Sequence, residues 1–230
     1  MSETSGAVYT IGQTPRPDLT EDLTRRFPST RFEVVGALDG LTADEVAATN
    51  EPGADRHAVG AAPYPLETRL RDGTRIVVDA AFLEPLLQEA ISAQDAHATA
   101  HLVLCAGPFP NLTAIGPLLR PFDLAVADFT RREFATLDVV VPFGAQAGPA
   151  ARKWEQAGFP CRALALDSKP DDLSIARWLA PQVTDADALV FDYVGFPSRI
   201  LDEVAAELSV PLFDLGHLAL DTLEQMLSTT

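Results

Sequence analysis

Leu102-Val103-Leu104-Cys105-Ala106-Gly107-Pro108-Phe109-Pro110 is an apolar run that ends on a cysteine and breaks at once into glycine and proline. A buried parallel strand reads this way. It shows no polar alternation and then turns at the carboxyl edge of a sheet, where open α/β folds bind their ligands. A buried cysteine is also a good small hydrophobe, so the meaning of Cys105 depends on what the rest of the chain brings to the same edge.

A second stretch has the same form. The apolar strand Ala186 to Asp192 runs into Tyr193-Val194-Gly195-Phe196-Pro197. Each break holds a reactive side chain, one intervening residue, a glycine, and a phenylalanine with proline adjacent. The pair reads as a weak internal repeat of two similar lobes. The remaining pattern agrees, because strands and helices alternate throughout and βαβ crossovers make parallel sheets. Strands are expected at Ala7–Ile11, Arg31–Val35, Ala100–Cys105, Asp138–Pro142, Cys161–Leu166 and Val210–Asp214. Helices are expected at Leu19–Arg26, Ala80–Ala93, Leu112–Leu119, Phe122–Phe134, Pro149–Ala157, Asp171–Leu179, Ser198–Leu208 and Gly216–Leu227, with a shorter one opening at Thr42. Asp18 or Thr20 would cap the first helix. Asn50–Arg56 and Gly144–Gly148 read as loops, and Gly158 as the residue that ends a helix. Asp72-Gly73 between two β-like runs marks a hairpin arm over residues 65–79 beside the sheet. The fold class is therefore α/β, with two pseudo-symmetric lobes, each a mainly parallel sheet flanked by helices. The first lobe is expected to span 1–121 plus 210–230 and the second 122–209, with a site in the cleft between them.

Composition limits the function. The 230-residue chain is 47% hydrophobic and carries a net charge of −16. That charge disfavours nucleic acid and anionic membranes as partners. No apolar run reaches the roughly 18 residues that span a bilayer, and Met1–Ser5 lacks the basic start of a signal peptide, so a cytoplasmic location is expected. The two cysteines, Cys105 and Cys161, form no disulfide framework, and the four histidines have no metal-ligand spacing. No GxGxxG follows a strand, which argues against a dinucleotide enzyme. Neither a metal nor another cofactor is expected.

Gly12-Gln13-Thr14-Pro15-Arg16-Pro17-Asp18 follows the first strand and is stiffened by its prolines. Arg16 on that loop offers a planar fork for a carboxylate, with Gln13 and Thr14 as polar neighbours. If the lobes face each other, Cys105 and Tyr193 point into one cleft, among the backbone amides of Ala106, Gly107, Val194 and Gly195. His217, in Asp-Leu-Gly-His after the last strand, reaches a carboxyl edge as well. Asp192, Asn111 and Gln146 are weaker candidates, and Cys161 reads as core. Such a thiol is a nucleophile or a proton-transfer base.

The stretch Thr10-Ile11-Gly12-Gln13-Thr14-Pro15-Arg16-Pro17-Asp18, the Cys105-Ala106-Gly107-x-Phe109 break, Val141-Pro142 with Lys153-Trp154, and Asp192-Tyr193-Val194-Gly195-Phe196 resemble the AroM family across nearly the whole chain. AroM proteins are similar to the aspartate/glutamate racemase superfamily of racemases, maleate isomerases and arylmalonate decarboxylases. The resemblance implies two facing α/β lobes and a cofactor-independent site, with one cysteine per lobe serving each face of the substrate carbon in the racemases. Here the second position carries Tyr193, and a phenol of pKa ~10 is a poor partner for two-way racemisation at neutral pH. The expectation is a cofactor-independent isomerase, racemase-like enzyme or lyase for a small carboxylate, using the single cysteine Cys105 with Tyr193 opposite. The alternative is a non-catalytic binding protein for a small anion on the same fold. Racemase-like relatives are often dimers, so a homodimer is a further expectation.

Overall fold

The computed structural model describes residues 5–48, 63–183 and 185–228. The loop expected at Asn50–Arg56 lies outside them. The chain divides into two compact units, Met1–Arg120 with Thr222–Thr230, and Pro121–Asp221.

The first unit is built on strands β1 (Ser5–Thr10), β2 (Arg31–Gly36), β5 (Ala100–Val103) and β6 (Leu118–Leu119), in the order β2-β1-β5-β6. Every pairing in this sheet is parallel. Helices α1 (Pro17–Arg26), α2 (Ala43–Ala48) and α3 (Ala80–Gln94) make the crossovers. Strands β3 (Pro65–Arg69) and β4 (Arg75–Asp79) form a separate antiparallel hairpin, with Gly73 at φ +87° in its turn. The hairpin leads straight into α3, whose cap is the Asp79 carboxylate accepting from the Ala81 amide at 2.8 Å. Thr42 and Glu45 close a reciprocal capping box on α2. Tyr9, Leu38, Leu83, Leu87, Ile91 and Val103 are fully buried in one core.

The second unit repeats this plan. Strands β7 (Leu137–Val141), β8 (Cys161–Ala165), β9 (Ala188–Phe191) and β10 (Leu212–Asp214) lie in the order β10-β9-β7-β8, all parallel. Helices α4 (Pro121–Arg131), α5 (Gly144–Gln156), α6 (Ile175–Leu179), α7 (Ser198–Glu207) and α8 (Leu215–Ser228) accompany them. Counted within each unit, both sheets read 2-1-3-4. The expected repeat is thus present as shared topology, and Cys105 and Tyr193 each follow the third strand of their unit.

Four expectations are corrected. Residues 210–221 belong to the second unit, because β10 pairs with β9. Leu112–Leu119 forms no helix; it ends in the short strand β6 pairing with β5. Gly144–Gly148 is not a loop but the opening of α5, which begins at Gly144 and carries Pro149 inside it. The cap of α1 is the backbone of Arg16 with Pro17 in its first turn, not Asp18 or Thr20, whose side chains bond elsewhere. Gly158 does end α5, at φ +95°. No described helix is long and apolar enough to cross a membrane.

The second core holds one buried charge pair. The Lys153 ammonium lies 2.7 Å from Asp192 Oδ1, and Trp154 Nε1 donates to Oδ2 at 3.1 Å. The ammonium also sits 4.4 Å from the centroid of the Phe122 ring. Asp192 is 1% exposed and Lys153 7%. Neither charge could stay buried alone, so the pair fixes α5 to the end of β9. Lys153→Met should therefore cost about 3–5 kcal/mol of stability. The Lys153→Met/Asp192→Leu double variant should recover part of it, as read from urea midpoints.

Candidate functional site

An order of 2-1-3-4 reverses direction between its first and third strands. Chains leaving those strands diverge there and open a crevice at the carboxyl edge, the place where ligands of open α/β sheets bind. In the first unit the crevice is flanked by the loops after β1 and β5. These are the loops that carry Arg16 and Cys105.

The β5 loop is held by backbone bonds. The Leu104 amide continues the ladder to the Tyr9 carbonyl at 2.8 Å, and the Cys105 amide turns back to Val103 at 2.9 Å. Cys105 is 7% exposed, and its Sγ accepts the Gly107 amide at 3.3 Å. That amide supports negative charge on the sulfur. Ala106 and Gly107 are buried. A Cβ on Gly107 would lie 2.7 Å from Leu66 Cδ1 and 3.1 Å from the Phe109 ring, so a larger residue there would have to displace both side chains.

The β1 loop is tied more tightly still. A Cβ on Gly12 would meet the Arg69 carbonyl at 2.4 Å. Gln13 is buried, and its amide group donates to the Leu38 and Leu41 carbonyls while accepting from the Arg71 amide. Thr14 gives its amide and hydroxyl to the two oxygens of Asp39, and the Thr14–Pro15 bond is cis. Gln13 and Thr14 therefore shape the loop that presents Arg16. Arg16 Nη1 reaches Thr68 Oγ1 at 3.3 Å and Thr10 Oγ1 at 3.5 Å. Its Nε and Nη2 both donate to the Asp18 carboxylate at 2.9 Å, in the two-pronged geometry a ligand carboxylate would use. Sequence reading missed this partner, although an acid two residues after the arginine is a visible signal.

The hairpin joins the two loops. Leu66 and Thr68 are one strand repeat apart, about 6.6 Å, and share a face. Both are buried. Leu66 packs on the Cys105–Gly107 turn and Thr68 bonds Arg16. The arm that looked like an insertion beside the sheet thus brings the thiol loop and the guanidinium to one place.

The second unit has its own carboxyl edge. Tyr193 is half-buried, with its ring edge-on to Phe196 at 6.3 Å. Gly195 adopts φ +90°, a conformation other residues rarely take. Val194 packs on Gly216, where an added Cβ would come within 3.2 Å of Val194 Cγ1. That contact places His217 at the same edge. His217 Nε2 lies 3.3 Å from Ser198 Oγ, and its amide donates to Asp214 Oδ1 at 2.8 Å. Asp192 is committed to Lys153 and Trp154, Asn111 to Glu84, and Gln146 is buried. Cys161 is half-buried; burial, then the Glu155 and Asp192 carboxylates, push its thiol up to about 11. His101 is buried against the Tyr9 hydroxyl at 2.8 Å. Among the described residues no cluster of three or more His, Cys, Asp or Glu could hold a metal ion.

Comparison with known proteins gives the context. A family model described as AroM protein matches residues 6–227. No curated protein matches the chain. Among solved structures, the maleate isomerase Iso of Pseudomonas putida S16 is similar at TM-score 0.56 and 14% identity, over 98% of this chain and 94% of that one. The aspartate racemase of Picrophilus torridus is similar at TM-score 0.59 and 11% identity, over 98% and 94%. The allantoin racemase of Klebsiella pneumoniae follows at TM-score 0.56 and 17% identity, over 97% and 88%. At these identities the likeness is one of fold.

The hydrogen bonds from Arg16 hold the Asp18 carboxyl below its usual range, against its partial burial, and the Arg16 and Arg69 charges add to the effect. A depressed carboxyl keeps its pair above the ordinary carboxylate range and loses it as pH falls through the lowered value. Asp18→Asn should therefore remove this contribution: the loss of stability on acidification through the lowered carboxyl range, read from urea midpoints, should be smaller in Asp18→Asn than in the parent protein. An identical acid limb in both proteins would mean that the Arg16 fork contributes nothing to the stability of the loop.

Proposed function

The chain belongs to the AroM family, and from that premise we propose that it is a cofactor-independent enzyme acting on a small carboxylate through Cys105. The observation that carries this reading is the Gly107 amide bonded to Cys105 Sγ at the crevice beside the Arg16 loop. A thiol in a plain apolar core has no use for a dedicated amide donor. A cation held by the same hairpin that packs on the cysteine turn, already loaded with an internal carboxylate, supplies the complementary binding group.

In this reading the substrate carboxylate displaces Asp18 from the Arg16 fork. Cys105 then takes the proton from the adjacent carbon, or adds to an unsaturated carbon as nucleophile. Negative charge that moves onto the carboxylate oxygens in the transition state is met by the guanidinium, which strengthens its contact as charge develops. Tyr193, which follows the third strand of its own unit as Cys105 does in the first, is the residue we assign as proton donor. A phenol of ordinary pKa ~10 stays protonated at neutral pH, so it can deliver a proton but is seldom present as the phenolate that would abstract one; such a site suits isomerisation or decarboxylation better than symmetric racemisation.

The test is proton–deuteron exchange and turnover over a panel of small dicarboxylates, amino acids and hydantoins in deuterated buffer. At least one carboxylate should exchange or turn over. Cys105→Ser should lower the rate by about 10³-fold or more, and Tyr193→Phe by about 10²-fold, the scale of general acid–base loss. If nothing turns over and the Cys105→Ser protein binds the tightest ligand unchanged, the protein is a small-anion binder instead.

A further inference from the structure

A second reactive constellation lies wholly within the second unit and is independent of Cys105. Ser198 is exposed at the first position of α7. Its Oγ is 3.3 Å from His217 Nε2, and His217 Nδ1 is 3.6 Å from Asp214 Oδ1. Asp214 is 7% exposed and accepts the His217 amide at 2.8 Å, so the carboxylate fixes the backbone of the histidine and stands beside its ring. The three residues line a groove of about 460 Å³ beside the edge strand β10. A nucleophile on a base, the base oriented by a buried acid, and a groove beside them make up the serine hydrolase arrangement, which recurs on unrelated folds in different chain orders.

The local fold explains the arrangement. Ser198 follows the break after β9, and Asp214 and His217 bracket the junction of β10 with α8. Parallel pairing of β9 with β10 brings both junctions to one edge. Ser198 opens α7, and the Ile200 and Leu201 amides bond the Pro197 carbonyl at 2.9 and 3.3 Å, which fixes the turn that carries the hydroxyl.

The geometry points to a hydrolytic site for small acyl esters. Ser198 Oγ attacks the ester carbonyl carbon while His217 Nε2 takes the hydroxyl proton. The C–O bond to the alcohol breaks, and His217 returns that proton to the departing alkoxide. Water, deprotonated by the same nitrogen, then attacks the Ser198 ester. The acid product leaves and the hydroxyl is restored. Asp214 acts through His217 as a positioning residue. The groove's charges bear on the substrate. Asp128, Asp202, Asp214 and Asp221 line it against the one lining cation Arg132, which is paired with Asp128, so carboxylates outnumber cations and anionic esters are disfavoured.

The experiment is hydrolysis of p-nitrophenyl acetate by the full-length protein, with fluorophosphonate labelling mapped by peptide mass spectrometry. Saturable hydrolysis and an adduct on the Ser198 peptide are expected. Ser198→Ala and His217→Ala should each lose at least about 10²-fold in kcat. Asp214→Ala should lower kcat with KM unchanged, and Asp214→Glu should restore part of it. A cationic thiocholine ester should be cleaved faster than an anionic ester of equal acyl length. Hydrolysis that survives Ser198→Ala, an adduct on Cys105 instead, or no adduct and no hydrolysis would each overturn the assignment. None of these outcomes bears on carboxylate turnover through Cys105.

Discussion

Parallel strand pairing is the constraint on which the rest depends. A parallel strand cannot return through a tight turn, so each crossover carries a helix and each strand ends at the same edge. In the first unit, Tyr9 stands opposite Val103. That register sends the glutamine-proline loop and the cysteine loop out of neighbouring strands side by side. In the second unit, β7 stands beside β9 in the same way. The chemistry-bearing residues lie far apart in sequence and meet only because both sheets keep one direction.

The first edge holds its cations in a strongly acidic protein with matched charges. Arg16 takes Asp18, Arg71 stands 3.5 Å from Asp39, and Arg69 lies 3.6 Å from Asp18. The Arg71 and Arg69 pairs are exposed and contribute little stability, whereas the Arg16 side chain is largely covered and its pair with Asp18 reaches the surface only on the carboxylate side. The second edge is different. The Lys153–Asp192 pair is sealed from water and bonded on both oxygens. It serves as a fastening under Tyr193, not as an exchangeable site.

The sequence and the structure agree where local pattern and tertiary context ask for the same thing. Uniformly apolar strands such as Ala188–Phe191, buried at every position, were legible because a strand covered on both faces has no alternation to interpret. The Asp72-Gly73 turn was legible because its chemistry is local. The corrections fall where long-range pairing decides. Leu118 and Leu119 are a strand only because His101 and Leu102 lie beside them. Residues 210–221 join the second unit only because β9 is there to pair with. In the candidate site, Cys105 and Arg16 could be named from their loops. The Gly107 amide on the sulfur, the Asp18 carboxylate in the fork, and Leu66 and Thr68 holding one loop each to the hairpin depend on side-chain placement that spacing does not encode. The contact of Ser198 with His217 is of the same kind, joining two strand ends 19 residues apart.

The central claim is that Cys105 works on a carboxylate held by Arg16. The most direct measurement compares alkylation of Cys105 by bromoacetate and by bromoacetamide, two reagents of similar size that differ in charge. Repulsion from a net charge of −16 should by itself favour the neutral reagent. The account predicts the reverse at Cys105: saturable and faster reaction with bromoacetate, lost in Arg16→Ala, while Cys161 prefers bromoacetamide. Faster, non-saturating reaction of bromoacetamide at both cysteines, unchanged by Arg16→Ala, would contradict it.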